Sequence, residues 1–348
     1  MTLRLSAGGD STKRIGENVS QSLFPMANAE SFLRTFVPSL ERSDGTLRWS
    51  SGDGISELSL TPIHERTFDG LLVSEMVMLT HTSPAFADLS RDMIARLNTW
   101  ATISSLVPAD RFRPARLIAK VGIFSTDREA AERMYAPLLC KEAAISGWHA
   151  AHIVRGQFRG NPEQSPLHMT SRDPPFDNAD FEAIKAITDR SGYVGSLGDR
   201  HFAVEFPWEA GAKTRMLRQE NFRKSLRTRQ DVSEEQLDIM AGKTSLLQIR
   251  IAEHPLYGKG VHSTLELPFP PDDPATIQTV NELNAWELSG ADLPPHFGAW
   301  CIGNRGLTYV SFMPTQFCIA GILHNLTVWM ATRQARVREW LNASPSRH

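Results

Sequence analysis

The chain is poor in the features that make a protein's chemistry easy to read. Of its 348 residues only three are cysteines, Cys140, Cys301 and Cys318. Three scattered thiols build neither a disulfide framework nor a four-cysteine zinc site. No charge of either sign dominates: 37 Lys and Arg face 39 Asp and Glu, a formal net charge of -2. No global field therefore marks a nucleic-acid binder. Long apolar runs are missing too. The start, Met1-Thr-Leu-Arg-Leu-Ser, lacks the apolar core of ~7–15 residues that a signal peptide needs. The most apolar stretch, Phe317 to Ala331, is interrupted by His324, Asn325 and Thr327 and falls short of the ~20 residues that span a bilayer. These absences predict a soluble chain in a reducing, cytoplasmic setting without membrane contact. What is present is an ordinary globular mix, 41% hydrophobic and 22% charged, which excludes disordered, collagen-like and simple coiled-coil classes. The length exceeds an average domain of ~100–200 residues and predicts two domains.

Catalytic and metal templates are equally scarce. His149-x-x-His152 downstream of Cys140 places two imidazoles on one helical face, yet no His-Glu-x-x-His or Cys-x-x-Cys accompanies them, so surface or capping histidines are the simpler reading. His296-Phe-Gly-Ala-Trp-Cys301 pairs an imidazole with a thiol, but five residues of extended chain span ~16 Å. Cys301 and Cys318 read better as buried small apolar residues. His254 and His262 flank Tyr257-Gly-Lys-Gly260 and can face one site across a hairpin, or simply belong to a turn. Gly192-x-x-Gly195-x-x-Gly198 lacks the Gly-Lys-Ser/Thr ending of a phosphate loop and reads as hairpin-turn glycines. The tryptophans 49, 208, 300, 329 and 340, with Phe206 and Phe297, are numerous enough to line a cleft but are ordinary core residues as well. No cofactor and no metal are predicted.

The most localised charge feature is Lys213 to Arg229, where Lys213, Arg215, Arg218, Arg223, Lys224, Arg227 and Arg229 meet one acid, Glu220. It reads as a solvated basic insertion, or as a grip for an anionic ligand, an acidic partner or nucleic acid. Only Phe222 is available there to stack on a base, which disfavours single-strand binding.

What the chain does have is self-similarity. Arg96-Leu-Asn-Thr-Trp100 recurs as Glu282-Leu-Asn-Ala-Trp286, an offset of 186, while His64–Gly70 and Ser83-Pro84 recur as His254–Gly260 and Asp273-Pro274 at an offset of 190. Ser83 and Asp273 read as N-caps with Pro at the first helical position. The four-residue change of offset then falls inside a helix, about one turn, which keeps the apolar face in phase. Each half repeats one order of elements. In the first, a helix around Phe32 to Leu40 precedes a hairpin, Leu47–Trp49 with Ile55–Leu60, and a strand from Leu71 to Leu79. A helix from Ser83 then carries Phe86, Leu89, Met93, Leu97 and Trp100. A strand from Arg116 to Phe124 and a helix opening at Thr126-x-x-Glu129, kinked at Pro137, complete the half. In the second, a helix at Phe181, Ile184 and Ile187 leads to a hairpin, Tyr193-Val194 with His201–Phe206. Strands at 246–251 and 261–269, the Asp273 helix, a strand from Leu307 to Phe312 and a closing helix from Pro314 or Thr315 follow. The arginines 333, 336 and 338 near its end suit the helix dipole.

These patterns give an α+β chain of two similar domains, each an antiparallel sheet with flanking helices, arranged as a pseudo-dimer. The boundaries are an arm at 1–27, a first repeat at 28–155, a linker at 156–177 and a second repeat at 178–348 with a basic insertion near 207–244. The element order and the Leu-Asn-x-Trp helix resemble the type III secretion chaperone-like fold. That resemblance implies partner-polypeptide binding on apolar surfaces, with the duplicated chain standing in for a homodimer. The chain is longer than a single-domain member and lacks the usual acidic charge. The expected function is a non-catalytic chaperone-like or adaptor protein that binds another polypeptide in an apolar groove. The alternative is an enzyme or small-molecule binder with one asymmetric site in the second repeat, where the basic insertion, His254, His262, His296 and Cys301 can converge.

Overall fold

The computed structural model describes residues 22–343, apart from 38, 67–71, 101–102, 111–112, 125–127, 156–175, 209–243, 255–256, 270, 272, 290–294 and 304–305. Among these, two six-stranded antiparallel sheets and six α-helices make an α+β protein. The first sheet comprises β1 (Glu41–Ser43), β2 (Thr46–Ser51), β3 (Gly54–Arg66), β4 (Leu72–Thr82), β5 (Ser105–Val107) and β6 (Arg116–Phe124), in the spatial order β1-β2-β3-β4-β6-β5. The second comprises β7 (Val194–Gly198), β8 (His201–Pro207), β9 (Thr244–His254), β10 (Gly258–Glu266), β11 (Ala299–Gly303) and β12 (Gly306–Pro314). Its order, β7-β8-β9-β10-β12-β11, is the same arrangement strand for strand. The helices are α1 (Met26–Arg34), α2 (Arg91–Leu97), α3 (Ala136–Arg155), α4 (Asn178–Arg190), α5 (Pro274–Ser289) and α6 (Ile322–Asn342). Strands β1, β5 and β11 were not anticipated; the first two are three residues each, too short to show a period of two.

Alternation sets most strands. In β4, Val73, Glu75, Val77, Leu79 and His81 are buried and the residues between them are half-exposed. Strands β6 and β12 break that pattern, being buried along almost their whole length. Helices of its own half pack on each, α3 on β6 and α5 on β12, and β6 also meets His296 of the second half. The seam between the halves is built there. Helix α2 packs on α5 and β11, and α5 reaches β5. Lys120 and His296 pair as an isolated antiparallel bridge, and the Gly298 N–H donates to the Ile103 carbonyl at 3.0 Å. Gly298 sits at φ +140°, where a side chain would meet the Val310 carbonyl.

The repeated Leu-Asn-x-Trp motif has a physical role. Asn98 donates from Nδ2 to the Leu106 carbonyl and accepts from the Leu106 N–H at 2.9 and 2.8 Å. Asn284 does the same to Trp300, both at 2.9 Å. Each asparagine thus satisfies both main-chain groups of one residue in the last strand of its sheet, groups that would otherwise be orphaned in the interior.

The helices around these motifs differ from expectation. Ser83 caps only a 3-10 turn, Pro84–Phe86; the chain leaves helical geometry and restarts at α2 with Ser90 as its cap. The second half runs unbroken from Pro274 to Ser289, with Asp273 accepting from the Ala275 N–H at 2.9 Å. The four extra residues of the first half are therefore a break in the helix rather than an added turn, and Met93 and Trp100 are 47% and 46% exposed. The break expected at Pro137 takes the form of a π-helical turn, Ala131–Tyr135, between a short helical start at Arg128–Ala130 and α3. The wider turn makes room for a proline ring that would clash with the carbonyl four residues back; the Thr126 cap lies outside the described residues. Helix α6 starts at Ile322, after a 3-10 turn at Thr315–Phe317, later than the periodicity predicts. Of the expected N-terminal arm, Phe24 is buried, and the Leu23 and Phe24 N–H groups donate to Glu75 at 2.9 and 2.8 Å. No helix among the described residues is long and apolar enough to cross a membrane.

Candidate functional site

Helix α1 packs on α3 and buries Ala29 and Leu33, which leaves Phe32, and Phe36 just past the helix end, half-exposed. Their rings lie 5.1 Å apart and are 37% and 41% exposed. Sequence periodicity counts both as core; the helix ends at Arg34 and turns them outward. Together with Ala136, Pro137, Cys140 and Lys141 of α3, and with Phe317, they line a groove of about 460 Å³. Burial draws the Lys141 ammonium down to about 8, and Lys141 makes no ion pair among the described residues. The same burial pushes the Cys140 thiol up to about 12, so it is wall rather than nucleophile. The second half has a comparable groove of about 270 Å³ between α4 and the start of α6, lined by Phe176, Ile184, Ile187, Ile319 and Ile322.

The titratable clusters lie elsewhere, in two buried networks that cross the seam. In one, Glu142 of α3 accepts from Ser104 at 2.5 Å, from His149 Nδ1 at 2.7 Å and from the Tyr257 hydroxyl of the other half. Burial alone would raise this carboxyl, but His149 and the two hydroxyl donors outweigh it and hold it below its ordinary value. In the other, Glu287 of α5 accepts from His296 Nδ1 and Trp300 Nε1, each at 2.8 Å, and from Arg333 Nε at 2.9 and 3.0 Å. Burial opposes ionisation there too, yet Arg333 and the donors bring Glu287 down to about 2. The Arg333 guanidinium lies 3.8 Å above the Tyr309 ring and donates to the Pro295 carbonyl at 3.1 Å. Lys120 of the first half donates to the Glu287 carbonyl at 2.5 Å. Adjacent residues of the first half feed both networks: Ser104 serves Glu142, and Ser105 sits 2.8 Å from His296 Nε2.

The residues singled out in the sequence are placed as follows. Burial lowers His296, which is fully buried, so it is a neutral imidazole donating from Nδ1 to Glu287 and accepting from Ser105 at Nε2. Cys301 is fully buried in β11 and pushed up to about 12. His254 stacks near Tyr257 and Phe312 at 5.1 and 5.2 Å, close to the Glu142 network, and burial lowers it to about 3. His262, opposite Phe312 in the β10–β12 register, is lowered to about 4 by burial and by Arg250. His149 belongs to the Glu142 network, while the His152 side chain lies outside the described residues. So do Lys213, Arg215, Arg218, Arg223, Lys224, Arg227 and Arg229. Trp49 and Trp300 are core residues, and Trp286 stacks on Trp340 at 5.6 Å.

Glu142, Glu287, Lys141 and the exposed Phe32–Phe36 pair escaped the sequence reading. Arg333 was assigned to the helix dipole but is a buried partner of Glu287. The available signal was Glu287 itself, directly behind the second Leu-Asn-x-Trp motif. A serine–histidine pair, Ser56 Oγ to His81 Nδ1 at 2.9 Å, is likewise buried away from any substrate. No protein-family model, curated protein or solved structure matches the chain.

Proposed function

We propose that the protein is a non-catalytic, chaperone-like adaptor that holds an apolar segment of another polypeptide in the groove between α1 and α3. The observation that carries this reading is the stacked, half-exposed Phe32–Phe36 pair beside about 460 Å³ of open groove. Two large aromatics on one helix turn are costly in water, and covering them is worth roughly 1–3 kcal/mol. The occupant is an apolar segment that also carries a carboxylate. Lys141 stands in the groove wall with its charge opposed by burial, and Glu132 is the one acid that lines the same groove. An arriving Asp or Glu restores that charge, whereas a basic segment does not.

The shared strand order of the two sheets and the matching Asn98 and Asn284 clamps support descent from a duplicated unit whose halves act as a covalent pseudo-dimer. That arrangement, and the resemblance to secretion chaperones, belong to the same proposal. The enzyme alternative finds less support. His254, His296, Cys301 and Glu287 of the second half are buried, which keeps a substrate from them, and His262 is half-buried with no nucleophile beside it.

The test uses reduced, carboxymethylated α-lactalbumin, a permanently unfolded acidic chain, with binding read by fluorescence anisotropy. Micromolar binding is expected, weakened at least about tenfold by Phe32→Ser with Phe36→Ser. Lys141→Met should weaken it about threefold or more and abolish the loss of affinity between about pH 7 and pH 9 that deprotonation of Lys141 causes. Affinity unchanged by the double substitution would sink the proposal. A wild-type dimer that the double substitution converts to monomer would replace the client with a second copy of the chain.

A further inference from the structure

A second cavity, of about 320 Å³, opens on the seam between the halves. Met78 and Ile118 of the first sheet form part of its wall, with Leu288 of α5 opposite. Arg91, Arg113 and Arg116 also line it. Among the described residues, the side chains of Arg91 and Arg113 make no ion pair. Arg116 has only Asp110, at 3.8 Å, and the Pro114 carbonyl at 3.2 Å. Of the two acids in the lining, Asp110 is that partner and Glu282 accepts from Gln278 Nε2 at 2.7 Å.

The second observation is Asn281, 2% exposed, in the same lining. Its Nδ2 donates to the Arg91 and Ile277 carbonyls, both at 3.0 Å. That double donation fixes which end of the amide is nitrogen, because the flipped side chain would set oxygen against two carbonyls. Oδ1 is then a buried acceptor with no hydrogen-bond partner. Such groups are rare, and each costs about 1–3 kcal/mol while unpaired. Both halves line the cavity, Met78 and Ile118 from the first and Asn281 and Leu288 from the second. Its rim uses Pro108, Ala109, Asp110 and Arg113, which follow β5.

We infer that this cavity binds a small organic anion: a carboxylate or phosphate held by Arg113 and Arg116, and an apolar body against Met78, Ile118 and Leu288. The volume lies at the small end of ordinary ligand sites, and boundaries between structural units are where such sites concentrate. Burial and the neighbouring Arg113 already disfavour the charged form of Arg116, a cost that a bound anion relieves. The site is independent of the α1–α3 groove and stands whether or not a polypeptide binds there.

Calorimetric titration of the full chain with three probes tests it: benzoate, phenyl phosphate and inorganic phosphate. Benzoate or phenyl phosphate, each an anion on a ring, should bind with Kd of about 1 mM or tighter, and the tighter of the two identifies the anion class. Arg113→Gln with Arg116→Gln should weaken binding at least about tenfold. So should Ala285→Trp, which fills the cavity from an exposed position and leaves the core untouched. Silence from both organic probes at about 10 mM overturns the inference. So does binding that ignores Ala285→Trp, or inorganic phosphate that binds as well as its phenyl ester.

Discussion

The two halves carry the same asparagine clamp on helices built in different ways. Asn284 sits in the 16-residue helix α5, whereas Asn98 follows the seven-residue α2, itself separated by a break from a 3-10 turn. The backbone pairing to Leu106 and to Trp300 is alike to within 0.1 Å. What both halves keep is the satisfaction of a buried edge strand's main-chain groups; what differs is the apolar surface around it. Their buried acids differ as well. Glu287 is balanced by a full positive charge, Arg333, while Glu142 relies on His149 and the hydroxyls of Ser104 and Tyr257. A motif that completes backbone hydrogen bonds tolerates little variation, whereas a buried charge can be neutralised in several ways.

The charge contrast is the easiest to break. Arg333→Met leaves Glu287 buried without its counter-ion and should cost about 3–5 kcal/mol in urea denaturation, while Glu287→Gln added to it should recover much of the loss. If Arg333→Met alone cost under about 1 kcal/mol, the ion pair would not be what balances Glu287. The clamps come next. Asn98→Ala and Asn284→Ala each strand a buried N–H and C=O and should cost about 2 kcal/mol apiece, nearly equally despite the different helices. A clear inequality between them would mean that the two clamps are not equivalent.

Acid sharpens the comparison further. Burial holds His81 of the first half near 4, and His254 and His262 of the second near 3 and 4. These values lie below the unfolded histidine value of about 6.5, so the unfolded chain takes up protons first and stability falls as pH drops below about 6.5. The loss should reach about 1–2 kcal/mol per histidine by pH 5, read from urea midpoints, and His254→Gln should remove one share of it. Glu287, held near 2 against an ordinary 4.5, adds loss below about pH 4.5 as its depressed carboxyl is forced to protonate. The smallest effect belongs to Met93→Gln on the exposed side of α2, expected within about 0.5 kcal/mol of wild type. A larger change would restore Met93 to the core face that its spacing suggests.

Much of the architecture was legible because period and punctuation agree. The turn at Gly52-Asp53, the strand Arg116–Phe124 and the cap at Asp273 all fall where alternation, glycine and proline place them. The break between Phe86 and Arg91 was not, because Phe86, Leu89, Met93 and Leu97 keep a helical spacing across residues that are not helical. Only tertiary packing against α5 decides that. The site was less legible for a similar reason. Phe32 and Phe36 look identical in sequence to core aromatics, and Glu142 and Arg333 look identical to surface charges; long-range partners give each its meaning. Asn281 offers no local signal at all, since its free oxygen is defined by Arg91, 190 residues away.

The seam networks draw donors and acceptors from both halves, with Tyr257 reaching Glu142 and Lys120 reaching the Glu287 carbonyl. Either half made alone would expose a set of interior polar groups that only the other half completes. A chain nicked between 155 and 178 should therefore stay together as a tight non-covalent pair, and two separately expressed fragments should find each other in solution. That makes the molecule a natural split protein, whose reassembly can be switched by one substitution at Lys120 or Tyr257.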